Sequence, residues 1–187
     1  MFSIEVDNNL IKKLSLIDIN KVLPHEEVLM ERKEALKNYI RLLRPNVIIS
    51  SIIICHETNM IIDGHHRYTA LKELGFPQIP VTMIDYSSNK VSSYYDNRIK
   101  KSDILKACKQ QKLLPSKSSK HIVFDESQDK WYPLILLSSF VVALFAFNVN
   151  AASDGELALK KNQPSEIGDC FENLNRATFA FNQGLDK

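Results

Sequence analysis

The sequence of 187 residues lacks a strong net charge, paired cysteines and internal repeats. Its formal net charge is +2 and its pI is about 8.3, whereas nucleic-acid-binding domains usually show a basic stripe or a much higher pI. A DNA partner is therefore not expected. Its three cysteines, Cys55, Cys108 and Cys170, are far apart and form no CxxC pair. We predict neither a disulfide framework nor a cysteine metal site, and we expect thiols in a reducing compartment.

Most of the chain has the composition of a folded domain, but one uncharged apolar run extends from Pro133 to Val149 and is followed by small residues. This pattern is typical of a secretory hydrophobic region and its cleavage site. The run is slightly shorter than the roughly 20 residues of a membrane span. We predict a signal-peptide-like or transmembrane segment over 131–151, with an apolar helix over 134–149 that contacts a membrane and stays outside the preceding core. A buried core helix is the alternative.

The tail, residues 152–187, is predicted to be disordered. Its end, "DCFENLNRATFAFNQGLDK", resembles the start of mature VacJ-like lipoproteins, which carry a similar Asn-Arg-x-x-Phe-x-Phe-Asn run. Only about 19 residues resemble that family, and the rest of its domain is absent from the sequence. We therefore expect the tail to be a fragment of an unrelated gene product, joined by fusion, frameshift or assembly error, without a function of its own.

Residues 1–128 show both helical and strand periodicity. The spacing of apolar residues predicts helices, and β-branched runs bounded by turn residues predict strands and one hairpin. The predicted helices are 26–43, 66–74 and 102–111, and the predicted strands are 14–24 with its turn, 46–55, 60–63, 79–86 and 121–124. Helices and strands mixed in this way predict an α+β domain, a small mixed sheet with packed helices.

The stretch "MIIDGHHRYTALKELG" places an acid, a glycine, two histidines and an arginine between a strand and a helix. A glycine at such a turn lets the backbone approach a ligand, and the first N–H groups of the helix have no intrahelical partner. Arg67 adds a planar fork that suits phosphate oxygens. The aspartate would repel a phosphate unless a cation lay between them or it transferred a proton. The turn therefore indicates phosphate binding beside a metal or a base, and a capped helix with surface histidines is the alternative.

The same stretch resembles the Gly-x-x-Arg phosphate-binding motif of the ParB/sulfiredoxin superfamily, and its Asp-Gly-His-His-Arg form resembles the free L-serine kinases. Three further stretches are similar to those kinases: "LPHEE", "VTMIDY" and "LLPSKSSKH". Sulfiredoxins place a cysteine after the motif glycine, where this chain has His65. ParB partition proteins continue into a helix-turn-helix domain, where this chain has the apolar run.

The resemblance implies a ParB/sulfiredoxin-like nucleotide-binding kinase domain over 1–128 that phosphorylates free L-serine to O-phospho-L-serine with ATP or ADP and Mg²⁺. Glu26 matches the catalytic glutamate of the family, and its neighbour Glu27 is the alternative. Asp63 matches the second catalytic carboxylate, and we expect it to face Glu26 across a cleft. The implied phosphate-binding residues are Gly64, His65, His66 and Arg67, and the implied substrate-binding residues are Ser119, Lys120 and His121. No residue is assigned as a metal ligand.

A second hypothesis keeps the phosphate turn without the reaction. A non-catalytic ParB-like module that binds nucleotide, or a DNA-associated regulator, would share the Arg67 turn but would not need Glu26 or the 119–121 stretch. Under either hypothesis we expect the first domain in the cytoplasm, with membrane anchoring through 134–149.

Overall fold

We analysed a computed structural model that describes residues 4–43, 46–93, 99–138 and 140–144. The chain divides into two compact units, Met1–Phe147 and Asn148–Lys187, and all described residues belong to the first. The helices are α1 (Met30–Leu42), α2 (His65–Glu73) and α3 (Lys101–Lys109), and the strands are β1 (Ile11–Asp18), β2 (Asn46–Ser50), β3 (Ile52–Cys55), β4 (Ile61–Asp63), β5 (Gln78–Ile84), β6 (Val91–Ser93), β7 (His121–Asp125), β8 (Lys130–Pro133) and β9 (Phe140–Leu144). This mixture confirms the predicted α+β class.

The central sheet has four strands in the order β1-β5-β3-β4. Strand β5 is antiparallel to β1 and parallel to β3, and the β3–β4 pair is the predicted antiparallel hairpin. A second sheet, β6-β7-β8, is antiparallel, and β2 pairs with β9 in a third. Strand β4 is the hairpin strand at the edge of this sheet, and its last residue, Asp63, is separated from the start of α2 by Gly64 alone.

Strand β3 explains why its sequence is continuously apolar. Side chains alternate between the two faces of a strand, and here both faces are covered. Ile52 and Ile54 belong to a core cluster shared with α1 and α2, while Ile53 and Cys55 belong to a second cluster shared with α3 and β7. The free thiols Cys55 and Cys108 are both buried, whereas Cys170 lies outside the described residues.

The predicted strand over 46–55 is two strands, β2 and β3, which separate at Ser51 and join different sheets. The predicted first helix also starts late, at Met30 instead of Glu26. Residues before it are extended instead, because the Leu23 backbone pairs with Met60 and the Glu26 backbone pairs with Leu114. The prediction of a helix start at an acidic pair missed these two pairings.

The apolar run corrects a further prediction. Instead of a helix over 134–149, the chain forms a 3-10 turn at Leu134–Leu137 and then β9, which is antiparallel to β2. The β-branched and aromatic sequence "FVV" favours a strand when a partner strand is present. Residues 145–149 and the tail lie outside the described residues. Among the residues described, no helix is long and apolar enough to cross a membrane.

The start of the apolar run also belongs to the core, contrary to our prediction that it packs outside. Leu134 is 1% exposed and lies in the cluster that holds Ile53 and Ile104. We expect Leu134→Ala to lower the free energy of unfolding by about 2–4 kcal/mol, because it removes buried methyl groups and leaves a cavity. Urea denaturation of the full chain measures this difference. Leu136, 45% exposed, is the matched control, and its alanine variant should change stability by about 0.5 kcal/mol or less. Equal losses of unfolding free energy in both variants would contradict the placement of the run in the core.

Candidate functional site

The turn from Asp63 to Arg67 lies at the junction of β4 and α2, at a helix N-terminus as predicted. Gly64 is the residue before α2 and has a φ of 104°, in the left-handed region that glycine adopts without strain. Its carbonyl accepts the Tyr68 N–H at 2.9 Å, which begins the helical hydrogen bonds. Helix α2 therefore begins two residues after Asp63, with its first N–H groups at the turn.

The Arg67 side chain, from the first turn of α2, is held by hydrogen bonds to Asp63 and Ser50. Its Nη2 donates to Asp63 Oδ2 at 2.5 Å, and its Nη1 donates to the carbonyl and the hydroxyl of Ser50. Burial lowers the pKa of the guanidinium, although an arginine in a protein stays charged. These contacts use at most three of its five N–H donors. Arg67 therefore retains donors for a further acceptor without breaking its pair with Asp63.

The two histidines of the motif hold the loop that carries Glu26. His65 Nε2 accepts the backbone N–H of His25 at 3.3 Å, and His66 Nε2 accepts the backbone N–H of Leu29 at 3.0 Å. An acceptor nitrogen carries no proton, so both rings have their hydrogen on Nδ1. Burial lowers the pKa of both rings, well below the usual value for His65. The structure thus places both predicted phosphate ligands as neutral anchors of the loop before α1.

Glu26 is a buried carboxylate with its hydrogen-bond donors already in place. Its Oε1 accepts the Lys117 N–H at 2.6 Å, and its Oε2 accepts the Ser119 N–H at 3.0 Å and the Ser119 hydroxyl at 2.5 Å. Only 8% of the residue is exposed. A carboxylate can accept about four hydrogen bonds, so about one acceptor position, on Oε1, is left for another donor.

The environment of Glu26 raises its pKa. Burial is the largest cause, the hydrogen bonds from Ser119 and Lys117 act in the opposite direction, and the negative charge of Asp63 raises it further. The geometric link between Glu26 and the Asp63 turn is the pair of hydrogen bonds from the backbone of His25 and Leu29 to His65 and His66. Glu27, the alternative to Glu26, has an exposed side chain, and its N–H donates to the Leu114 carbonyl at 2.9 Å. Of the two glutamates, Glu26 is therefore the buried one whose carboxylate is held by hydrogen bonds.

The predicted 119–121 stretch divides between the site and the core. Ser119 contacts Glu26 as described, Lys120 has an exposed side chain at the start of β7, and His121 is buried. His121 Nε2 lies 2.9 Å from the Tyr86 hydroxyl. Burial lowers the pKa of His121 to about 3 and raises that of Tyr86, so both are neutral at pH 7. The stretch thus reaches Glu26 through Ser119 and the interior through His121.

Sequence reasoning missed three side chains of this site: His25, Ser50 and Tyr86. His25 is fully buried, and its ring centroid lies 4.5 Å from that of His65 and 6.2 Å from that of His121. Burial lowers its pKa to about 4, while the Ile61 backbone acts weakly in the opposite direction. The only available signal was its position next to Glu26 in "LPHEE".

The described residues of the site could bind Mg²⁺ only if phosphate oxygens supplied some of its ligands. Within residues 4–43, 46–93, 99–138 and 140–144, no group of three or more His, Cys, Asp or Glu is arranged to hold a metal ion. Mg²⁺ in nucleotide sites is usually bound by one or two carboxylates plus phosphate oxygens and water. Asp63 suits this role, because its side chain is 37% exposed and only Oδ2 pairs with Arg67.

The turn makes a specific prediction for Gly64. A Cβ on Gly64 would lie 2.9 Å from Arg67 Nη2, whereas a Cβ on Gly75, which also has a positive φ of 78°, would meet nothing within 4 Å. Both alanine variants carry a backbone cost of roughly 1–2 kcal/mol. We expect only Gly64→Ala to displace the guanidinium. It should therefore weaken the affinity for the nucleotide that the sequence resemblance implies, by about 10-fold for one lost charged hydrogen bond. Isothermal titration of both variants with ATP checks this, and equal affinities would contradict it.

The sequence is similar to several curated proteins over a limited stretch. An ATP-dependent L-serine kinase of Staphylothermus marinus is 39% identical over 80 residues, which cover 41% of this chain and 31% of the relative. A ParB-like protein of Sulfolobus acidocaldarius is 37% identical over 87 residues, which cover 46% of this chain and 42% of the relative. This chain thus matches less than half the length of either relative. No protein-family model matches it.

One solved structure, a free serine kinase in complex with AMP, aligns with 50% of this chain and 38% of its own, at 24% identity and a TM-score of 0.40. The two curated relatives have names from the groups that the Asp63–Arg67 motif resembles. Part of this chain is therefore similar in sequence to proteins named as an L-serine kinase and as a ParB-like protein.

Proposed function

We propose that this chain transfers a phosphoryl group from ATP or ADP to the hydroxyl of free L-serine, which yields O-phospho-L-serine. One observation carries the proposal: a buried carboxylate, Glu26, is held in a fixed orientation beside a strand-to-helix turn that contains Arg67. The similarity to an L-serine kinase supports the same reaction. A module that only bound nucleotide would gain nothing from burying such a carboxylate, since burial of a charge costs free energy.

In this proposal Glu26 is the general base. Its remaining acceptor position on Oε1 receives the serine hydroxyl, and the proton moves to Glu26 as the hydroxyl oxygen attacks the terminal phosphorus. The bond from that phosphorus to the bridging oxygen breaks, and ADP or AMP leaves. The raised pKa of Glu26 suits this role, because a base is most effective when its pKa lies closer to the working pH.

The Asp63–Arg67 turn binds the phosphates in the same proposal. Its backbone N–H groups and the remaining donors of Arg67 offer hydrogen bonds to phosphate oxygens. Mg²⁺ bound with the nucleotide would neutralise charge on those oxygens, with Asp63 as its protein ligand. His65 and His66 keep the Glu26 loop against the turn, so that base and phosphate are close. Lys120 and His121 stay proposed contacts of the amino acid.

The second candidate is a non-catalytic ParB-like regulator that binds nucleotide, and the similarity to the Sulfolobus protein favours it. One assay separates the two functions. The full chain is incubated with ATP or ADP, Mg²⁺ and L-serine, and the products are followed by ³¹P NMR and mass spectrometry. L-Alanine, which lacks the hydroxyl, is the matched control substrate. Phosphoserine formed from L-serine, with no phosphorylated product from L-alanine, supports the kinase function. Nucleotide binding without any phosphorylated amino acid would instead support the regulator function.

A further inference from the structure

We propose that His25 and Ser119 are positioning residues for Glu26, joined to it in a hydrogen-bonded chain with one fixed direction, from the His25 ring through the Ser119 hydroxyl to the carboxylate. His25 Nε2 lies 3.1 Å from Ser119 Oγ, which lies 2.5 Å from Glu26 Oε2. This inference rests on the proposed function, but NMR tests the hydrogen-bonded chain without a catalytic assay.

The direction of the chain follows from the chemistry of its end. An ionised carboxylate only accepts hydrogen bonds, so the Ser119 hydroxyl must donate its single proton to Glu26. The hydroxyl oxygen can then only accept from His25, and therefore Nε2 of His25 carries the hydrogen. His25 Nδ1 is left unprotonated and has no hydrogen-bond partner among the described residues. The Ile61 backbone, which raises the pKa of His25, is the group that would favour the other tautomer. The Glu26 carboxylate thus determines the tautomer of the buried His25 ring through two successive hydrogen bonds.

This tautomer differs from those of the neighbouring histidines. His65 and His66 both accept backbone N–H groups at Nε2, which puts their hydrogen on Nδ1. The tautomer of each ring is set by its own hydrogen-bond partner, and for Nε2 of His25 that partner is the Ser119 hydroxyl. The opposite protonation of His25 is therefore a signature of its link to Glu26.

Other groups around Glu26 influence its charge but do not replace the chain. The titratable and charged groups of the surrounding elements are His25 beside it, Asp63 at the end of β4, His65, His66 and Arg67 of α2, Lys117 of the loop before β7, and His121 of β7. Of these residues, only Lys117 also hydrogen-bonds the carboxylate, through its backbone N–H. Ser119 brings a side-chain donor, its hydroxyl, to Glu26.

The chain changes the role proposed for Ser119. If Ser119 held the amino acid, its loss would raise the KM for serine. If it positions the base, as we infer, its loss should lower kcat and leave the KM almost unchanged. It should also move the acid limb of the pH profile of kcat to higher pH, because removal of a donor to the ionised carboxylate raises the pKa of Glu26.

The decisive experiment is ¹⁵N NMR of the full chain with labelled histidine at pH 8, which distinguishes the two neutral tautomers of each ring. We expect His25 as the Nε2–H tautomer and His65 and His66 as Nδ1–H. Ser119→Ala should abolish the preference of His25, Ser119→Thr should restore it because threonine keeps the hydroxyl, and Ser118→Ala is the matched control that should change nothing. His25 as the Nδ1–H tautomer in the wild-type chain would overturn the proposal.

Kinetics give the second arm. We expect Ser119→Ala to lower kcat by on the order of 10-fold, the effect of losing one hydrogen bond to a charged group, with recovery in Ser119→Thr. A raised KM with unchanged kcat would overturn the positioning role. If the wild-type chain forms no phosphoserine, the proposed function fails, but the tautomer of His25 still decides whether the chain exists.

Discussion

Glu26→Gln should lower kcat for serine phosphorylation by about 100-fold to 10,000-fold, the usual contribution of a general base. Glutamine keeps the size of the side chain and an oxygen acceptor for one of the donors from Lys117 and Ser119, but its amide cannot take a proton at neutral pH. The affinity for nucleotide should change little, because the phosphates contact the Arg67 turn in the proposed complex. Initial-rate kinetics and isothermal titration of the same preparation separate the two quantities.

The matched control is Glu27→Gln, one residue further along the chain. It removes the same charge from an exposed side chain. We expect it to retain nearly the full kcat. An active Glu26→Gln variant, or an inactive Glu27→Gln variant with wild-type stability, would reject Glu26 as the base.

The protein should lose much of its stability between pH 6.5 and pH 4.5. Burial lowers the pKa of His25 to about 4 and that of His121 to about 3 in the folded chain, while both are near 6.5 in the unfolded chain. In this window the unfolded chain therefore binds more protons, and the free energy of unfolding falls as the pH falls. Each histidine contributes about 1.4 kcal/mol per pH unit, so these two over two pH units give about 5 kcal/mol. The lowered pKa of the buried His65 acts in the same direction.

The titration of three glutamates, Glu26, Glu34 and Glu73, limits the pH range in which this experiment reports on the histidines. The raised pKa of Glu26 acts in the opposite direction, because its folded form takes up a proton more readily than the unfolded form. The lowered pKa values of Glu34 and Glu73 cause losses only at more acidic pH. Urea denaturation at pH 7.5, 6.5, 5.5 and 4.5 measures the change. A constant free energy of unfolding from pH 6.5 to 4.5 would show that the buried rings are not kept neutral by the fold.

Local patterns were sufficient for several elements. The turn at Gly64 was predictable because it depends on a glycine between a strand and a helix, and all three features lie within a few residues of one another. The α2 and β3–β4 predictions held for the same cause, since periodicity and turn residues are local. The pairing of Arg67 with Asp63, four residues apart on adjoining elements, follows from the same short stretch.

Other features depended on partners that are distant in the sequence. The break at Ser51 follows from the pairing of β2 with β9, almost 100 residues later, and a strand pattern does not reveal which sheet it joins. Leu134 was predicted outside the core because its uncharged run, apolar all round and followed by small residues, resembles a secretory hydrophobic region. Its burial next to Ile53 decides the matter only in the folded chain.

The sequence by itself determined the α+β class, the phosphate-type turn from Asp63 to Arg67 and the choice of Glu26 as the candidate base, because each depends on neighbouring residues or on a short motif. Only the tertiary structure decided how that base is held. Ser119 meets Glu26 across 93 residues and His25 across 94, and contacts over such separations leave no periodicity in the sequence. They form because extended backbone pairings, Leu23 with Met60 and Glu26 with Leu114, bring the three segments together.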